Sequence, residues 1–573
     1  MKVCYLGRRS RRINSAPEGS GDVLELLWDI WDDYGYETSF PVSCRIAGEL
    51  VQLGVLRLLI SETKTSYERL DELRRSGWSG AFPAPGIDYV SVPSDITFYQ
   101  QLKARLGVDA AVEVATALRD ASLLVKSSFD SKAIALVDTE GFANSLQRER
   151  GSIAAYLDGW KVLENQAIAA NNFHFRFLDV FGKKSSLALN FSSESLLPHD
   201  VNVLIGPNGV GKSRVLHQMV ETWITPEDSE PKQGDAGFSE QPNLSQVVVV
   251  SYSPFERFPV DMTGQKVRDK DVYRYFGFRG RSKETTEGKP GRIRLSHEFP
   301  RTSAAQSLIA CAADDQIFKV ITEWAMKVST VEAVLGEAFD FDFAAIEIDP
   351  EKRVRSLYKN YDVVKDGPTV AKFEGRQYVP VSSHTMNQLA VDKLSDACLS
   401  KSGVAFFKNG APIELSSGQR LFAYIVINLL GAIRRNSLVL IDEPELFLHP
   451  TLEIQFVEML KEILSRFNSK ALLATHSEVI VREVPTDCVH VFQRTDDGLA
   501  VSNPPFQTFG GDIQRISSYV FGDNTASKPF EKWLTQKFDE LGSADALIEA
   551  MGGELSEELI VQIKAMEGRH PWL

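Results

Sequence analysis

The chain has 573 residues, 43% of them hydrophobic and 24% charged, which is an ordinary globular composition with room for several buried cores. A formal net charge of −14 excludes a protein that binds polyanions over its whole surface, but not one with a local basic groove. The five cysteines, Cys4, Cys44, Cys311, Cys398 and Cys488, lie far apart with no C-x-x-C pair. That argues against a zinc finger or a disulfide framework and fits a reducing compartment.

No apolar segment precedes Arg8, Arg9, Arg11 and Arg12, so no secretory signal is read there, and these arginines read as a solvated stretch. Residues 1–165 mix apolar strand-like runs (RIAGELVQLGVLRLLI, GIDYVSV) with a helical period in DAAVEVATALRDASLLV, as an α+β accessory domain does. Within it, IALVDTEG at 134–141 imitates a strand ending in acids, without a phosphate loop to accompany it. From Phe173, FHFRFLDVFGKKSSLALNF alternates about Gly182-Lys183-Lys184 as a hairpin does. VNVLIGPNGVGKSRVLHQMV then reads as strand, glycine loop and helix. Residues 225–243, rich in Pro, Gly and acids, read as a surface loop before the strand VVVVSY.

Residues 261–395 read as an insertion with helical runs near 303–337. VAFFKNGAPIELSSGQR follows as a hairpin leading into a helix. The apolar run 421–433 is too short to cross a bilayer, so it is expected as a buried helix, and the protein as cytoplasmic with no membrane partner. SLVLIDEPE and ALLATHS read as two more strands with the helix TLEIQFVEMLKEILSRF between them. RTDDGLA reads as a turn, and the tail as mostly helical. The tail ends in the apolar Pro571-Trp572-Leu573, expected to dock on a lobe of its own chain or on a partner.

Gly206-Pro207-Asn208-Gly209-Val210-Gly211-Lys212-Ser213 matches G-x-x-x-x-G-K-[ST] between a strand and a helix. The glycines let backbone N–H groups face phosphate oxygens at a helix start. Lys212 would reach the β- and γ-phosphates of ATP, and Ser213 would ligate Mg²⁺. A metal-binding acid is then needed at the end of a neighbouring strand, and Asp442 supplies it. Glu443 is placed to polarise the attacking water, and His476, at the end of ALLATHS, to touch the γ-phosphate. His449 reads as structural.

GPNGVGKS, LSSGQR, LVLIDEPE and ATHS, in that order, resemble the Walker A, signature, Walker B and H-loop of an ABC-type ATPase. The form DEPELFLHP is most similar to the SMC, RecF and OLD-like branch, and the compact layout to the PtuA-type ATPases of bacterial anti-phage (Septu and retron-linked) systems. The resemblance implies an α/β P-loop fold with a RecA-like lobe, a helical lobe, an N-terminal α+β domain and an insertion. The ATPase domain would run over 166–260 and 396–505, around the insertion or helical lobe at 261–395, with a helical tail at 506–573. It also implies that Ser416, Ser417, Gly418 and Gln419 meet the γ-phosphate held by a second copy, since the chain has one Walker A and one signature.

On this resemblance the protein is an ATP-hydrolysing, nucleotide-gated homodimer, or higher oligomer, controlling a separate effector, expected to be a nuclease, in anti-phage defence. The alternative is a RecF-like ATPase of DNA repair or recombination. Two departures stand out: no Q-loop glutamine ends SYSPFERF, leaving Ser253, Glu256 or no recognisable residue to couple the lobes, and Gln419 stands where many SMC-like members have Glu. Residues 268–294 hold nine Lys/Arg against four acids among aromatics, which suits DNA or RNA contact or, alternatively, a small core of their own. Arg279, Arg281, Arg292 and Arg294 are its candidate contacts.

Overall fold

The computed structural model describes residues 1–8, 22–28, 35–46, 49–147, 149–166, 172–193, 196–225, 236–239, 242–263, 270–282, 291–318, 326–349, 351, 371–382, 388–496, 498–521 and 529–567. They form two compact units, Met1–Gly510 and Gly511–Leu573.

The N-terminal part of the first unit is a five-stranded sheet, β1 (Lys2–Arg8), β2 (Val23–Trp28), β3 (Ser39–Ile46), β4 (Glu49–Ile60) and β5 (Tyr89–Pro93), in that spatial order. Helices α1 (Ser66–Arg75), α2 (Thr97–Leu106), α3 (Val108–Ala117), α4 (Ser131–Val137) and α5 (Arg150–Leu163) accompany it. A core running from Val3 and Leu24 through Phe40, Leu56 and Tyr99 to Leu163 holds sheet and helices together. The strand-like IALVDTEG is a helix here. Asp130 accepts the Ala133 N–H as its N-cap, and Ala133 and Leu136, three apart, are the buried positions. The acids near its end lie past a helix C-terminus, not at a strand edge.

The same unit continues with the hairpin β6 (Phe173–Leu178) and β7 (Lys184–Leu189), then β8 (Val201–Ile205), α6 (Lys212–Ile224), β9 (Gly237–Phe238), β10 (Gln246–Ser251) and β11 (Tyr273–Gly277). A ribbon, β12 (Arg279–Arg281) and β13 (Ile293–Leu295), leads into α7 (Glu298–Phe318) and α8 (Lys327–Ala338). Next come β14 (Phe343–Ile348), β15 (Ala371–Phe373), β16 (Arg376–Pro380), α9 (Gln388–Ala397), β17 (Val404–Lys408), β18 (Ala411–Pro412) and α10 (Ser417–Ala432). The first unit closes with β19 (Ser437–Asp442), α11 (Pro450–Arg466), β20 (Lys470–Thr475), α12 (Glu478–Arg482), β21 (Val489–Thr495) and β22 (Gly498–Ser502).

The main sheet has the order β11-β10-β19-β20-β8-β21-β22, parallel except for the β22 edge. Strands β8, β10, β19 and β20 are buried at every position, because a parallel strand covered on both faces has no polar side. This is a doubly wound α/β P-loop fold. The hairpin β17–β18 joins β14–β16 in a separate sheet, and its exit feeds α10, buried from Leu421 to Leu430. α7 packs on α10, with Ser307 Oγ donating to Asn428 Oδ1 at 2.9 Å. The accessory layer is tied to the main sheet's surroundings by Asn243 Nδ2 donating to Asp158 (2.9 Å) and by Arg150 stacked on Trp223 (4.9 Å). No helix among the described residues is long and apolar enough to cross a membrane. The second unit holds α13 (Ile513–Phe521), α14 (Pro529–Leu541), α15 (Ala544–Met551) and α16 (Glu557–Glu567), with Leu534, Phe538, Leu547 and Ile563 in its core. Pro571–Leu573, Arg9, Arg11, Arg12 and most of 225–243 lie outside the described residues.

One buried acid in the accessory layer has a consequence for stability. Asp120 accepts the Tyr99 hydroxyl at 2.7 Å and the Leu123 N–H at 2.9 Å, and burial raises its pKa to about 7. From its ordinary value of 3.8 up to about 7 the folded state keeps a proton that the unfolded state has lost, so stability drains as pH rises through that window. Asp120→Asn should therefore melt within about 2 °C of wild type at pH 5 and above it at pH 8. Calorimetry at both pH values checks this; a variant less stable than wild type at pH 8 would refute the buried neutral carboxyl.

Candidate nucleotide site

The phosphate loop spans Gly206–Gly211, between the end of β8 and the start of α6. Gly206 passes so close to β21 that a Cβ would come within 2.3 Å of the Phe492 carbonyl oxygen, and Gly211 adopts φ +100°. Only glycine fits either place without strain. With Pro207, Asn208, Gly209 and Val210 between them, the loop delivers the chain to the N-terminus of a 13-residue helix, whose free N–H groups and dipole favour an anion. Lys212 is 5% exposed. Its Nζ donates to the carbonyls of Gly206 (2.8 Å) and Pro207 (3.2 Å) and meets Nε2 of His476 at 2.9 Å. Burial lowers its pKa to about 8, against the opposing pull of Glu443, Glu445 and Asp442.

Ser213 Oγ donates to Asp442 Oδ1 at 2.8 Å. Burial at the end of β19 raises the Asp442 pKa to about 7, with the Ser213 bond pulling the other way. A hydroxyl and a carboxylate oxygen held together are the donor class a hard divalent cation takes, so these two residues fit Mg²⁺.

Glu443 follows in the left-handed conformation, φ 52° and ψ 56°, which costs a residue with a side chain about 1–2 kcal/mol. Its N–H donates to the Ala474 carbonyl at 2.8 Å, and its carboxylate stands 4.0 Å from Nε2 of His476. Burial and the Lys212 charge drop the His476 pKa to about 4, so the ring is neutral at physiological pH and serves as a hydrogen-bonding group. Lys212, Ser213, Asp442, Glu443 and His476, from the ends of two strands and the start of a helix, thus meet in one place. Glu445 was not singled out by sequence reasoning, yet its carboxylate accepts the His476 N–H at 2.6 Å and the Thr475 hydroxyl at 2.8 Å. The signal for it was a third acid two places after Glu443, just past Pro444.

The signature residues divide. Ser416 and Gln419 form a reciprocal capping box, Gln419 N–H to Ser416 Oγ at 3.3 Å and Ser416 N–H to Gln419 Oε1 at 3.1 Å. Ser417 is exposed at the first helical position, and Gly418 lies against the Phe447 carbonyl, 3.1 Å from where a Cβ would stand. After β10, Glu256 binds Arg279 (3.1 Å), the Tyr275 hydroxyl (2.6 Å) and the Phe258 N–H (2.7 Å), which fixes the loop to β11 and β12. The buried Ser251, in register with Asp442, is the polar side chain that ends β10.

Of the arginines in the basic segment, Arg279 and Arg281 are committed to Glu256 and Asp261, and Tyr273 and Tyr275 bond inward. Arg292, just before β13, and Arg294 on it are exposed; residues 264–269 and 283–290 lie outside the described residues. His449 caps α11, accepting the Thr451 N–H at 3.4 Å. A group of metal-type side chains, His199, Asp487 and Cys488, lies elsewhere. Its members already bond to Leu197, to each other and to Asn190.

Residues 382–481, which carry the signature helix, Asp442, Glu443 and His476, match the AAA ATPase domain family. Over 563 residues the chain is similar to protein ea59 of Escherichia phage lambda, 23% identical with 94% of each chain covered. Among solved structures it is similar to the SMC head domain from Thermotoga maritima, with 10% identity, TM-score 0.27, and 59% of this chain and 100% of that one covered. It is also similar to an ATP-binding cassette of an ABC transporter in its ADP conformation, with 12% identity, TM-score 0.26, and 59% and 93% covered. Fold, site and family match together define a P-loop ATPase domain, which binds nucleotide. In chain order its motifs resemble the Walker A, signature, Walker B and H-loop of ABC-type ATPases.

Lys212→Ala should weaken ATP binding by about 3 kcal/mol, more than a hundredfold in Kd, because a buried cation is lost from the anion site. Asp442→Asn should bind ATP as wild type does in EDTA but lose the gain that Mg²⁺ brings. Titration with a fluorescent ATP analogue measures both. Unchanged Kd in Lys212→Ala would rule out the phosphate-loop assignment.

Proposed function

We propose that the chain is an ATP-binding and -hydrolysing switch that closes as a dimer of two copies and controls a separate effector, expected to be a nuclease, in bacterial anti-phage defence. The observation that carries the hydrolytic part is the convergence of Lys212, Ser213–Asp442, Glu443 and His476 at the carboxyl ends of neighbouring strands. The loop N–H groups and Lys212 bind the phosphates of the substrate. Mg²⁺, held by Ser213 and Asp442, would supply charge neutralisation at the β- and γ-phosphates. Glu443 accepts the proton of the attacking water through its carboxylate, and the neutral His476 ring orients the terminal phosphate by hydrogen bonding.

The dimer reading rests on Ser417 and Gly418, which stand at the exposed start of α10 with N–H groups that suit an incoming anion. One loop and one signature per chain make two composite sites from two copies. The defence setting rests on the likeness of the compact layout to PtuA-type ATPases, within the SMC, RecF and OLD-like branch that DEPELFLHP resembles. The relative from phage lambda adds a phage–host context and nothing finer.

Glu443→Gln should keep ATP affinity and lose turnover by about 10²–10⁴-fold, the usual contribution of a general base, while accumulating the ATP-bound dimer. Ser417→Arg should bind ATP as a monomer and fail to close. Light scattering with and without ATP and Mg²⁺ reads both variants. Closure that survives Ser417→Arg would refute the trans arrangement, and wild-type turnover in Glu443→Gln would refute the base.

A further inference from the structure

Two carboxylates from one stretch of chain grip the loop that carries His476. Glu445 uses both oxygens, Oε1 accepting the His476 backbone N–H at 2.6 Å and Oε2 the Thr475 hydroxyl at 2.8 Å. On the other side Ser477 Oγ donates to Glu453 Oε2 at 2.5 Å, from α11, and accepts the Ile480 N–H that starts α12. The Glu443 N–H to the Ala474 carbonyl, at 2.8 Å, is a further strut between the same two segments. Three hydrogen bonds therefore join residues 443–445 to residues 474–476. Glu445 is partly shielded from water, and burial raises its pKa, so its bonds act in a medium where hydrogen bonds to a charged acceptor are strong.

We infer that Glu445 is a positioning residue for hydrolysis: it makes the turn bearing Glu443 and the loop bearing His476 one rigid body. This rests on the reading of Glu443 as base and His476 as phosphate contact. A base 4.0 Å from the imidazole is held there through a left-handed turn, which by itself is strained and would relax. The Glu445 bridge opposes that relaxation, and small misplacement of reacting groups costs rate more than binding. The turn, Pro444–Phe447, also meets the first turn of α10, where Gly418 lies against the Phe447 carbonyl. A shift at the signature thus bears directly on the turn that carries Glu445.

The test is a double-mutant cycle on the full chain, with kcat for ATP and Kd for a fluorescent ATP analogue measured in each variant. Glu445→Ala should lower kcat at least about tenfold with Kd within about twofold. Glu445→Gln can still accept the His476 N–H and can donate to Thr475 Oγ1, so it should recover kcat to within about threefold of wild type. In a His476→Ala background, Glu445→Ala should cost less than it does in the wild-type chain, because one of the two groups it aligns is already gone. Wild-type kcat in Glu445→Ala, equal damage to kcat and Kd, or losses that multiply in the double variant would each overturn the inference. A wild-type chain that does not turn over ATP would instead sink the hydrolysis reading, and this one with it.

Discussion

Ile205 pairs with Thr475, Ala474 with Asp442, and Asp442 with Ser251, so four neighbouring parallel strands end in one register. That register is the constraint on which the site depends. Strands lie about 4.8 Å apart, so the chemistry issuing from their carboxyl ends is spaced by the ladder and not by the loops. Because β20 runs between β8 and β19, the residue following β20 must emerge between the phosphate loop and the acids. His476 touches Lys212 on one side and approaches Glu443 on the other for that reason. The frame is firm because β8, β10, β19 and β20 are buried at every position, and each large apolar side chain among them contributes about 1.5–3 kcal/mol. Such a frame can hold a left-handed glutamate that an isolated turn would not.

The same burial sets the electrostatics. Asp442 and Glu445 are pushed up, Lys212 and His476 down, so each group moves toward its neutral form. Three acids and one lysine share a poorly hydrated space, and the acids partly offset the desolvation of the lysine. A ligand pair with both signs, a cation at Ser213–Asp442 and phosphate at the loop, would give the charged forms of Asp442 and Lys212 the partners that burial denies them. Binding energy in such a site comes from relieving desolvation as much as from new contacts.

Much of this was legible beforehand because local rules and the fold agree. The loop needs glycine at Gly206 and Gly211 for steric reasons that a motif records, and fully apolar runs ending in Asp442 and His476 announce buried parallel strands. Where tertiary structure decides, the sequence was silent or misleading. IALVDTEG has strand-like composition, but the Asp130 cap and burial of Ala133 and Leu136 make it a helix. Glu445 looks like one more surface acid until β20 places Thr475 and His476 beside it. The basic segment reads by count as a nucleic-acid surface or a small core of its own, and what its sequence does not reveal is that Arg279 and Arg281 are answered by Glu256 and Asp261, about 20 residues earlier in the chain.

On the proposed reading LSSGQR holds two functions in one motif. Ser416 and Gln419 satisfy each other's backbone N–H groups, and the box leaves those of Ser417 and Gly418 outside it. The remaining pair, Ser417 and Gly418, adds nothing to that cap. A side chain at position 418 would press on the Phe447 carbonyl, so the bare backbone there keeps the helix start close to the turn that follows Glu443. On the proposed reading, an anion arriving at α10 therefore bears on a helix end already seated against the base-carrying turn. The cap must hold α10 rigid for such a push to reach Glu445 and His476, and a reciprocal box does this better than a single serine, because it adds a second side-chain-to-backbone bond to the one a serine makes.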